Sequence, residues 1–209
     1  MEGKGLLLII SGFSGTGKGT VINRLLEKYD EKYALSISAT TRSPREGEQD
    51  GREYFFKTRE EFEEMIAKDE LIEHACYVDN YYGTPKRYVE EKLEAGKNVI
   101  LEIEIQGALD VKRLFPEAVL IFLLPPSVAE LERRLRERGT ETEEVVRARM
   151  ERAAKEVDSA YKYDYMIVND DIDICTQTIH SLIMSEKLRV SRCTDYIKKI
   201  ENDLKGLRG

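Results

Sequence analysis

A continuous aliphatic run near the start of the sequence leads straight into a turn rich in glycine. The run, Leu6 to Ile10, contains no polar residue, which is typical of a strand buried on both faces of a parallel sheet. The turn that follows, Ser11 to Thr20, holds four glycines. Apolar residues at helical spacing then predict a helix from about Gly19 to Tyr29. A strand, turn and helix in this order restrict the chain to an α/β fold.

The glycine turn has the chemistry of a phosphate site. Gly12, Gly17 and Lys18 match the P-loop pattern, in which a glycine, four residues and Gly-Lys join a strand to a helix. Glycines let backbone N–H groups turn inward, and the helix N-terminus adds partial positive charge. The lysine can reach the β- and γ-phosphates. We predict that a nucleoside triphosphate binds to Gly12, Phe13, Ser14, Gly15, Thr16, Gly17, Lys18, Gly19 and Thr20.

The turn departs from the pattern at one position that bears on a metal ion. A Ser or Thr hydroxyl usually follows the lysine and binds Mg²⁺, but Gly19 stands here. Either Thr20 supplies the hydroxyl, or water and phosphate hold the metal. Glu102 follows an aliphatic run like the acid of a Walker B strand. It is a second metal candidate, with a structural hydrogen bond as the alternative.

Three later aliphatic runs predict further strands, and each is followed by a helical pattern. They are Val99 to Ile105, Val119 to Leu124 and Tyr165 to Val168. We predict an α/β fold of the P-loop NTPase type, with three layers around a parallel sheet. The chain is expected to form a single domain over residues 1–209, with its core at about 1–37, 91–126 and 160–209.

Two segments interrupt this alternation. Residues 38–90 combine short mixed strands with a charged helix near Glu60 to Lys68, and we interpret them as a small inserted lobe. Residues 127–159 hold two helices joined by Gly139 to Thr142, and we interpret them as a helical lid. The chain ends in one long amphipathic helix, roughly Ile172 to Leu204. This helix either covers the sheet or pairs with a copy of itself in a homo-oligomer.

The composition argues against several classes of protein. The net charge is −7, from 33 Lys and Arg against 40 Asp and Glu, which disfavours a broad nucleic-acid surface. Hydrophobic residues make up 41%, too many for a disordered chain. Three cysteines and two histidines are too scattered for a zinc cluster or a disulfide framework. The N-terminal apolar run is too short for a membrane span or a signal peptide, so we expect a soluble cytoplasmic protein with no membrane partner.

Two arginines in the inserted lobe predict a second phosphate site. Arg42 and Arg45 stand three residues apart on a turn held by Pro44. Paired guanidinium groups suit a terminal phosphate, because each offers two parallel charge-assisted hydrogen bonds. Tyr54 and Tyr82 can add neutral hydroxyl donors.

These segments and several later ones resemble the guanylate kinase family of nucleoside monophosphate kinases. The resemblance covers the chain up to about Asp171 and includes the phosphate turn. Several motifs in the right order are far more specific than any one of them alone. The other segments that carry it are Thr40-Thr41-Arg42-Ser43-Pro44-Arg45, Asn80 to Thr84, Leu101 to Gly107, Pro125-Pro126-Ser127, Arg138 to Thr142 and Val168-Asn169-Asp170-Asp171.

The resemblance implies that the inserted lobe binds GMP. The resemblance implies that two sets of residues contact the nucleotide. The phosphate would be bound by Arg42, Arg45, Tyr54 and Tyr82, and the guanine base would be bound by Ser38, Glu73, Thr84 and Glu104. Glu73 suits this role, because guanine presents N1–H and its 2-amino group side by side and one carboxylate accepts both. Thr84 stands where the family often has serine. Glu104 stands where many members have aspartate, which leaves its reach to the base open.

Arginines are concentrated in the predicted lid. By the resemblance, Arg134, Arg138 and Arg149 close over the phosphates of ATP, and Asn169 lies near the adenine. Acidic residues alternate with the arginines, so we interpret the remaining ones as solvated residues in ion pairs along the helices. These are Arg133, Arg136, Arg147 and Arg152.

The implied reaction transfers the γ-phosphoryl group of ATP to GMP and dGMP, giving ADP and the diphosphate in purine nucleotide metabolism. The nucleophile is a phosphate oxygen that is mostly ionised at neutral pH, so no general base is needed. The obstacle is repulsion between two polyanions, which Mg²⁺ and cationic side chains would offset. The predicted catalytic residues are Lys18, Arg42, Arg134, Arg138 and Arg149.

Two other functions are compatible with parts of the sequence. A noncatalytic module that reuses this fold to bind phosphopeptides typically lacks the phosphate turn, which is present here. A kinase for another phosphate ester, such as a ribose phosphate, would show no base selectivity, whereas Ser38, Glu73 and Thr84 together favour guanine. The sequence leaves the preference between GMP and dGMP open.

Overall fold

The computed structural model describes residues 4–137 and 142–207. In chain order its elements are β1 (Leu7–Gly12), α1 (Lys18–Lys28), β2 (Tyr33–Leu35), β3 (Ala39–Thr40), β4 (Phe55–Phe56), α2 (Arg59–Ala67), β5 (Leu71–Tyr77), β6 (Asn80–Pro85), α3 (Lys86–Glu94), β7 (Asn98–Leu101), α4 (Ile105–Leu114), β8 (Val119–Leu124), α5 (Val128–Glu137), α6 (Glu143–Glu156), a 3₁₀ turn (Val157–Lys162), β9 (Tyr165–Val168), α7 (Ile172–Glu186), a second 3₁₀ turn (Val190–Arg192) and α8 (Thr194–Gly206).

A parallel sheet in the order β2-β7-β1-β8-β9 forms the centre of the molecule. The first strand lies in the middle of it, with Leu8 opposite Ile100 on one side and Ile9 opposite Leu120 on the other. Every residue of β1 and β7 is buried. The uninterrupted aliphatic run at the start of the sequence therefore forms the doubly covered strand that it predicts.

Alternate residues of β1 face two different layers of helices, because side chains along a strand point to opposite faces. Leu8 and Ile10 pack in one cluster with α1 and α7, and Leu7 and Ile9 pack in another with α3 and α4. Each cluster is mainly aliphatic and buried, so the three-layer α/β fold is confirmed.

A second, mixed sheet in the order β4-β3-β6-β5 forms the inserted lobe. Its small core is built around Phe62 of α2, which is fully buried and packs with Ala39 and Leu71. Helix α2 begins at a capping box, in which Thr58 and Glu61 satisfy each other's backbone N–H groups. The lobe thus has its own apolar centre, apart from the two clusters of the main sheet.

The lid helices α5 and α6 pack against the phosphate turn rather than standing away from it. Leu131, Leu135 and Val146 share a buried cluster with Phe13 of the turn and Ile105 of α4. Arg138 and the rest of the segment 138–141 lie outside the described residues.

The main sheet differs from its prediction at two strands. Strand β2 was not predicted, because it is only three residues long and follows the charged residues Asp30 to Lys32. The strand predicted over Val99 to Ile105 ends at Leu101, and Ile105 instead begins α4. Aliphatic residues at alternate positions are compatible with the end of a strand and with the buried side of a first helical turn. Periodicity therefore does not distinguish a strand from a helix here.

The prediction of a single long C-terminal helix is wrong. Helix α7 ends at Glu186, a 3₁₀ turn follows, and α8 begins at Thr194. The break coincides with a buried ion pair, since Arg192 folds back to place Nη2 3.3 Å from Glu186 Oε2 and 3.0 Å from the carbonyl oxygen of Glu117. Tyr165 donates its hydroxyl hydrogen to the same Glu186 carboxylate. No helix in the described part of the chain is long and apolar enough to cross a membrane.

The ion pair at this break gives a prediction for stability. Arg192 and Glu186 are 14% and 4% exposed, whereas Arg189, 3.5 Å from the same carboxylate, is 62% exposed. Removing Arg192 leaves the Glu186 carboxylate without its buried cationic partner, so Arg192→Ala should lower the free energy of unfolding by about 3 kcal/mol. Arg189→Ala, as the control, should cost less than about 1 kcal/mol. Urea unfolding measures both, and equal losses would contradict this account of the break.

Candidate active site

The phosphate turn connects β1 to α1 through two glycines in the left-handed backbone region. Gly15 has φ 93° and Gly17 has φ 83°, which residues with a side chain rarely adopt. The turn is closed internally, because Thr16 donates to the carbonyl oxygen of Phe13 from both its hydroxyl (2.9 Å) and its backbone N–H (3.2 Å). Gly15 also gives the lid room: a Cβ there would lie 2.9 Å from Leu135 Cδ2. The loop geometry and the seat of the lid therefore depend on the same glycine.

Lys18 is the first residue of α1, and its side chain folds back over the turn. Its ammonium group lies 2.6 Å from the carbonyl oxygen of Gly12 and 3.1 Å from that of Phe13. The charge is thus held at the turn that the sequence predicts to carry phosphate.

Asn169 follows β9 and forms a hydrogen bond with the backbone of the phosphate turn. It is 2% exposed, and its Nδ2 donates to the carbonyl oxygen of Thr16 at 2.8 Å. The same atom would lie 2.7 Å from a Cβ on Gly17, so glycine is required there for this close approach as well as for its φ. The structure therefore gives Asn169 a contact with the turn backbone, which the sequence did not predict.

The two metal candidates lie beside the same turn. Glu102 is exposed after β7, with Oε1 3.9 Å from the place where a Cβ on Gly19 would stand. Thr20 is exposed in the first turn of α1. A carboxylate and a hydroxyl are hard oxygen donors of the kind that Mg²⁺ prefers. Because the described residues contain no group of three or more His, Cys, Asp or Glu placed to hold a metal, an ion here would depend on water and phosphate for its other ligands.

A carboxylate that the sequence analysis missed organises the arginine turn. Arg42 Nη2 lies 2.9 and 3.0 Å from the two oxygens of Glu48, and the backbone N–H of Arg45 donates to the same carboxylate at 2.7 Å. The hydrogen bond from Arg42, and then the one from Arg45, lower the pKa of Glu48 below its ordinary value. An acid six residues after Arg42 in a glycine-containing turn was the available signal.

Aromatic rings complete the surroundings of this turn. The guanidinium carbon of Arg42 lies 5.4 Å from the centre of the Tyr54 ring, and Tyr54 meets Tyr82 edge to face with the ring centres 6.1 Å apart. The side chain of Arg45 is exposed. The structure therefore groups Arg42, Tyr54 and Tyr82 as the sequence predicts.

Glu73 of β5 lies between the lobe and α4. Its Oε1 accepts the hydroxyl hydrogen of Thr84, at 2.7 Å, and Thr84 is fully buried. Its Oε2 would lie 3.7 Å from a Cβ on Gly107, in the first turns of α4. Burial raises the pKa of Glu73 above its ordinary value, and the Thr84 hydrogen bond opposes this. Ser38, just before β3, is half-buried and its carbonyl oxygen accepts from the N–H of Phe55 at 2.8 Å.

Glu104 stands at the N-terminal end of α4 and contacts the lid. Its Oε2 accepts from Arg152 Nη2 on α6, while Arg152 Nε donates to Glu156 at 2.6 Å. The ion pair expected of Arg152 along its own helix is therefore present, and Arg152 also reaches Glu104, 48 positions away in sequence.

The other lid arginines divide into two groups. Arg149 donates to the Ser14 hydroxyl, so it contacts the phosphate turn. Arg134 is half-buried and pairs with Glu130 at 2.6 Å. The hydrogen bond from Arg133, and then the one from Arg134, lower the pKa of Glu130 to about 2. The ion pairs expected of Arg133 and Arg136 along α5 are confirmed.

The contact between the lid and the turn gives a second prediction. Gly15→Ala should destabilise the protein by about 1–3 kcal/mol through backbone strain. The displacement of Leu131 and Leu135 by the new Cβ should add to this loss. Gly47 is a matched control, since its φ is 84° and a Cβ there meets nothing within 4 Å. Urea unfolding of Gly15→Ala and Gly47→Ala should therefore show a larger loss for the first. A loss of equal size would mean that the leucines do not rest on the turn.

Comparison with known proteins gives the same family from sequence and from structure. The model of the guanylate kinase family matches residues 4–186. The guanylate kinase of Bacillus subtilis is 50% identical over 200 residues, which cover 96% of this chain and 98% of the relative. That of Caldanaerobacter subterraneus is 51% identical over 200 residues, covering 96% and 97%.

A solved structure agrees with these relatives. The crystal structure of guanylate kinase from Anaplasma phagocytophilum superposes with a TM-score of 0.69 at 34% identity, covering 90% of this chain and 89% of the other. With a family match over most of its length and relatives of this identity, the chain belongs to the guanylate kinase family.

Proposed function

We propose that the protein transfers the γ-phosphoryl group of ATP to GMP, and also to dGMP, giving ADP and the nucleoside diphosphate in purine nucleotide metabolism. Family membership supports the reaction, and the observation that carries the choice of base is the half-buried carboxylate of Glu73. It already accepts the Thr84 hydroxyl hydrogen, and a carboxylate has about four lone-pair positions, so it can accept further donors. Guanine offers N1–H and its 2-amino group as an adjacent pair, whereas adenine does not.

The acceptor nucleotide would lie between the lobe and α4. Arg42 and Arg45, with the hydroxyls of Tyr54 and Tyr82, would bind its phosphate, and the fixed position of Arg42 on Glu48 supports this role. Preorganisation of a charged donor lowers the cost of ordering it when the ligand arrives. The base would be contacted by Ser38, Glu73, Thr84 and Glu104.

ATP would occupy the phosphate turn. Gly12 to Thr20 would surround its phosphates with backbone N–H groups, and Lys18 would bind the β- and γ-phosphates. Arg134, Arg138 and Arg149 would approach from the lid, as the contact between Arg149 and Ser14 supports. Asn169 would hold the turn and border the adenine site.

A magnesium ion would be held largely by the phosphates and water, with Thr20 and Glu102 as its protein neighbours. When bound, Mg²⁺ neutralises charge on the β- and γ-phosphoryl oxygens. The position of Glu102 beside Gly19 supports this assignment, because it brings a carboxylate close to the start of α1.

The chemistry on the protein side is alignment and charge compensation. The attacking phosphate oxygen is already ionised near neutral pH, so no side chain has to remove a proton. Lys18, Arg42 and Arg149 would offset the repulsion between the two nucleotides and align the reacting oxygens. The apolar seat of α5 and α6 on Phe13 would keep water from the transferring group.

We infer that the chain works as one domain on free nucleotides in the cytoplasm. Its core would span about 1–37, 91–126 and 160–209, with an acceptor lobe at 38–90 and a lid at 127–159. The net charge of −7 favours small anionic substrates in a local cationic cleft over a nucleic-acid surface.

A substrate panel tests the choice of base. In a coupled assay of ADP release with GMP, dGMP, AMP, UMP and ribose 5-phosphate, only the two guanine nucleotides should turn over efficiently. Glu73→Gln should lower kcat/KM for GMP by about 10- to 100-fold, the range expected for a bidentate base contact. Glu64→Gln, an exposed carboxylate of the same lobe, is the control and should change little. Equal rates on ribose 5-phosphate would refute the proposed function, and unchanged selectivity in Glu73→Gln would refute the role of Glu73.

A second test separates phosphate chemistry from acceptor binding. Lys18→Ala should lower kcat by about 10²- to 10³-fold, as loss of one donor to a developing charge does. Affinity for GMP, measured by calorimetry, should stay within about threefold, because Lys18 lies at the other nucleotide. Lys28→Ala at the exposed end of α1 is the matched control. Normal turnover of Lys18→Ala would exclude the role given to this lysine.

A further inference from the structure

We propose that Arg152 is a positioning residue that couples the ATP side of the site to the guanine side through Glu104. The ion pair joins α6 of the lid to the first residue position before α4, although the two residues are 48 apart in sequence. The inference rests on the proposed function, in which Glu104 contacts the base and the lid contacts ATP.

The direction of the Arg152 side chain is set from within its own helix. Nε donates to Glu156 at 2.6 Å, and Nη2, on the same edge of the guanidinium plane, donates to Glu104. Because that plane is rigid, fixing one donor on Glu156 fixes where the other points. The position of α6 therefore sets the direction from which Arg152 contacts the Glu104 carboxylate.

The same helix also contacts the phosphate turn. Arg149 donates to the Ser14 hydroxyl, and Arg149 and Arg152 are three residues apart, so they share one face of α6. One turn of helix thus touches the turn that receives ATP and the carboxylate proposed to read the acceptor base. A ligand that orders α6 through Arg149 orders Glu104 through Arg152.

Apolar packing makes α6 a stiff connection between these two contacts. Val146 and Ala153, on either side of Arg149 in sequence, lie in the buried cluster that includes Phe13 and Ile105. Ile105 directly follows Glu104, so the apolar and ionic contacts of α6 meet the same end of α4. A displacement of the lid helix is therefore passed to Glu104.

Glu104 can serve Arg152 and a base at once. Only its Oε2 takes the hydrogen bond from Arg152, and a carboxylate offers about four lone-pair positions. Its longer side chain gives it the freedom that a partner has to restrict. Arg152 supplies that restriction, and it does so only while α6 is in place.

The consequence is mutual strengthening of the two binding events. GMP should bind more tightly when the ATP site is filled, and by linkage ATP should bind more tightly when GMP is present. Calorimetric titration of GMP, with and without adenylyl imidodiphosphate and Mg²⁺, measures this coupling as a ratio of two dissociation constants. The intact chain and its variants are compared under identical conditions.

Arg152→Ala should reduce the ratio by about threefold to tenfold, mainly by weakening GMP binding to the ATP-analogue complex. Arg147→Ala is the matched control, because this exposed arginine lies five residues earlier on α6 and points about 140° away around the helix. It should keep the wild-type ratio. Arg152→Lys should restore part of the coupling, since a single ammonium group can reach only one carboxylate well.

A double variant tests the route. In Glu104→Gln, adding Arg152→Ala should change the ratio by less than twofold, because the partner has already been removed. A wild-type ratio in Arg152→Ala, or full additivity of the two substitutions, would overturn the proposal. Failure of the wild-type protein to turn over GMP would instead refute the proposed function, so the two failures are distinguishable.

Discussion

The parallel alignment of the central sheet is the constraint on which the rest of the molecule depends. Because β1 is buried between β7 and β8 with all three running the same way, their carboxyl ends meet at one edge. The phosphate turn leaves β1 there, Glu102 follows β7, and Asn169 follows β9. Ligands of open α/β sheets bind in the crevice outside these ends. Residues far apart in sequence therefore reach one cleft because the pairing of parallel strands brings the ends of those strands together.

Within this cleft, the cationic side chains are held by acidic or polar partners of the protein. Arg42 rests on Glu48, Arg149 on Ser14 and Arg152 on Glu104. Charges presented this way lose little conformational freedom when a phosphate arrives, and they repel one another less in its absence. The whole-chain charge of −7 gives no hint of this arrangement, since it sums over an acidic surface. Electrostatics at the site depends on placement, which the fold provides.

The features that could be predicted from the sequence are those carried by local spacing. Gly12, Gly17 and Lys18 lie within one turn, and the uninterrupted aliphatic runs of β1 and β8 predict that both strands are buried. The missed features depend on contacts between distant segments. The role of Glu48 depends on its pairing with Arg42, that of Arg152 on its pairing with Glu104, and the end of α7 on the buried pair of Glu186 and Arg192. Periodicity carries no information about such pairs, because each residue also fits an ordinary solvated helix or turn.

The seat of the lid on Gly15 has a thermodynamic consequence. Leu131 and Leu135 pack on the turn at Gly15 through apolar contact alone. Apolar contact near room temperature is favoured almost entirely by the entropy of water, and it weakens on cooling. The contact of α5 and α6 with the turn therefore draws part of its stability from the solvent. Cooling alone weakens that contact, even where every polar contact of the cleft is unchanged.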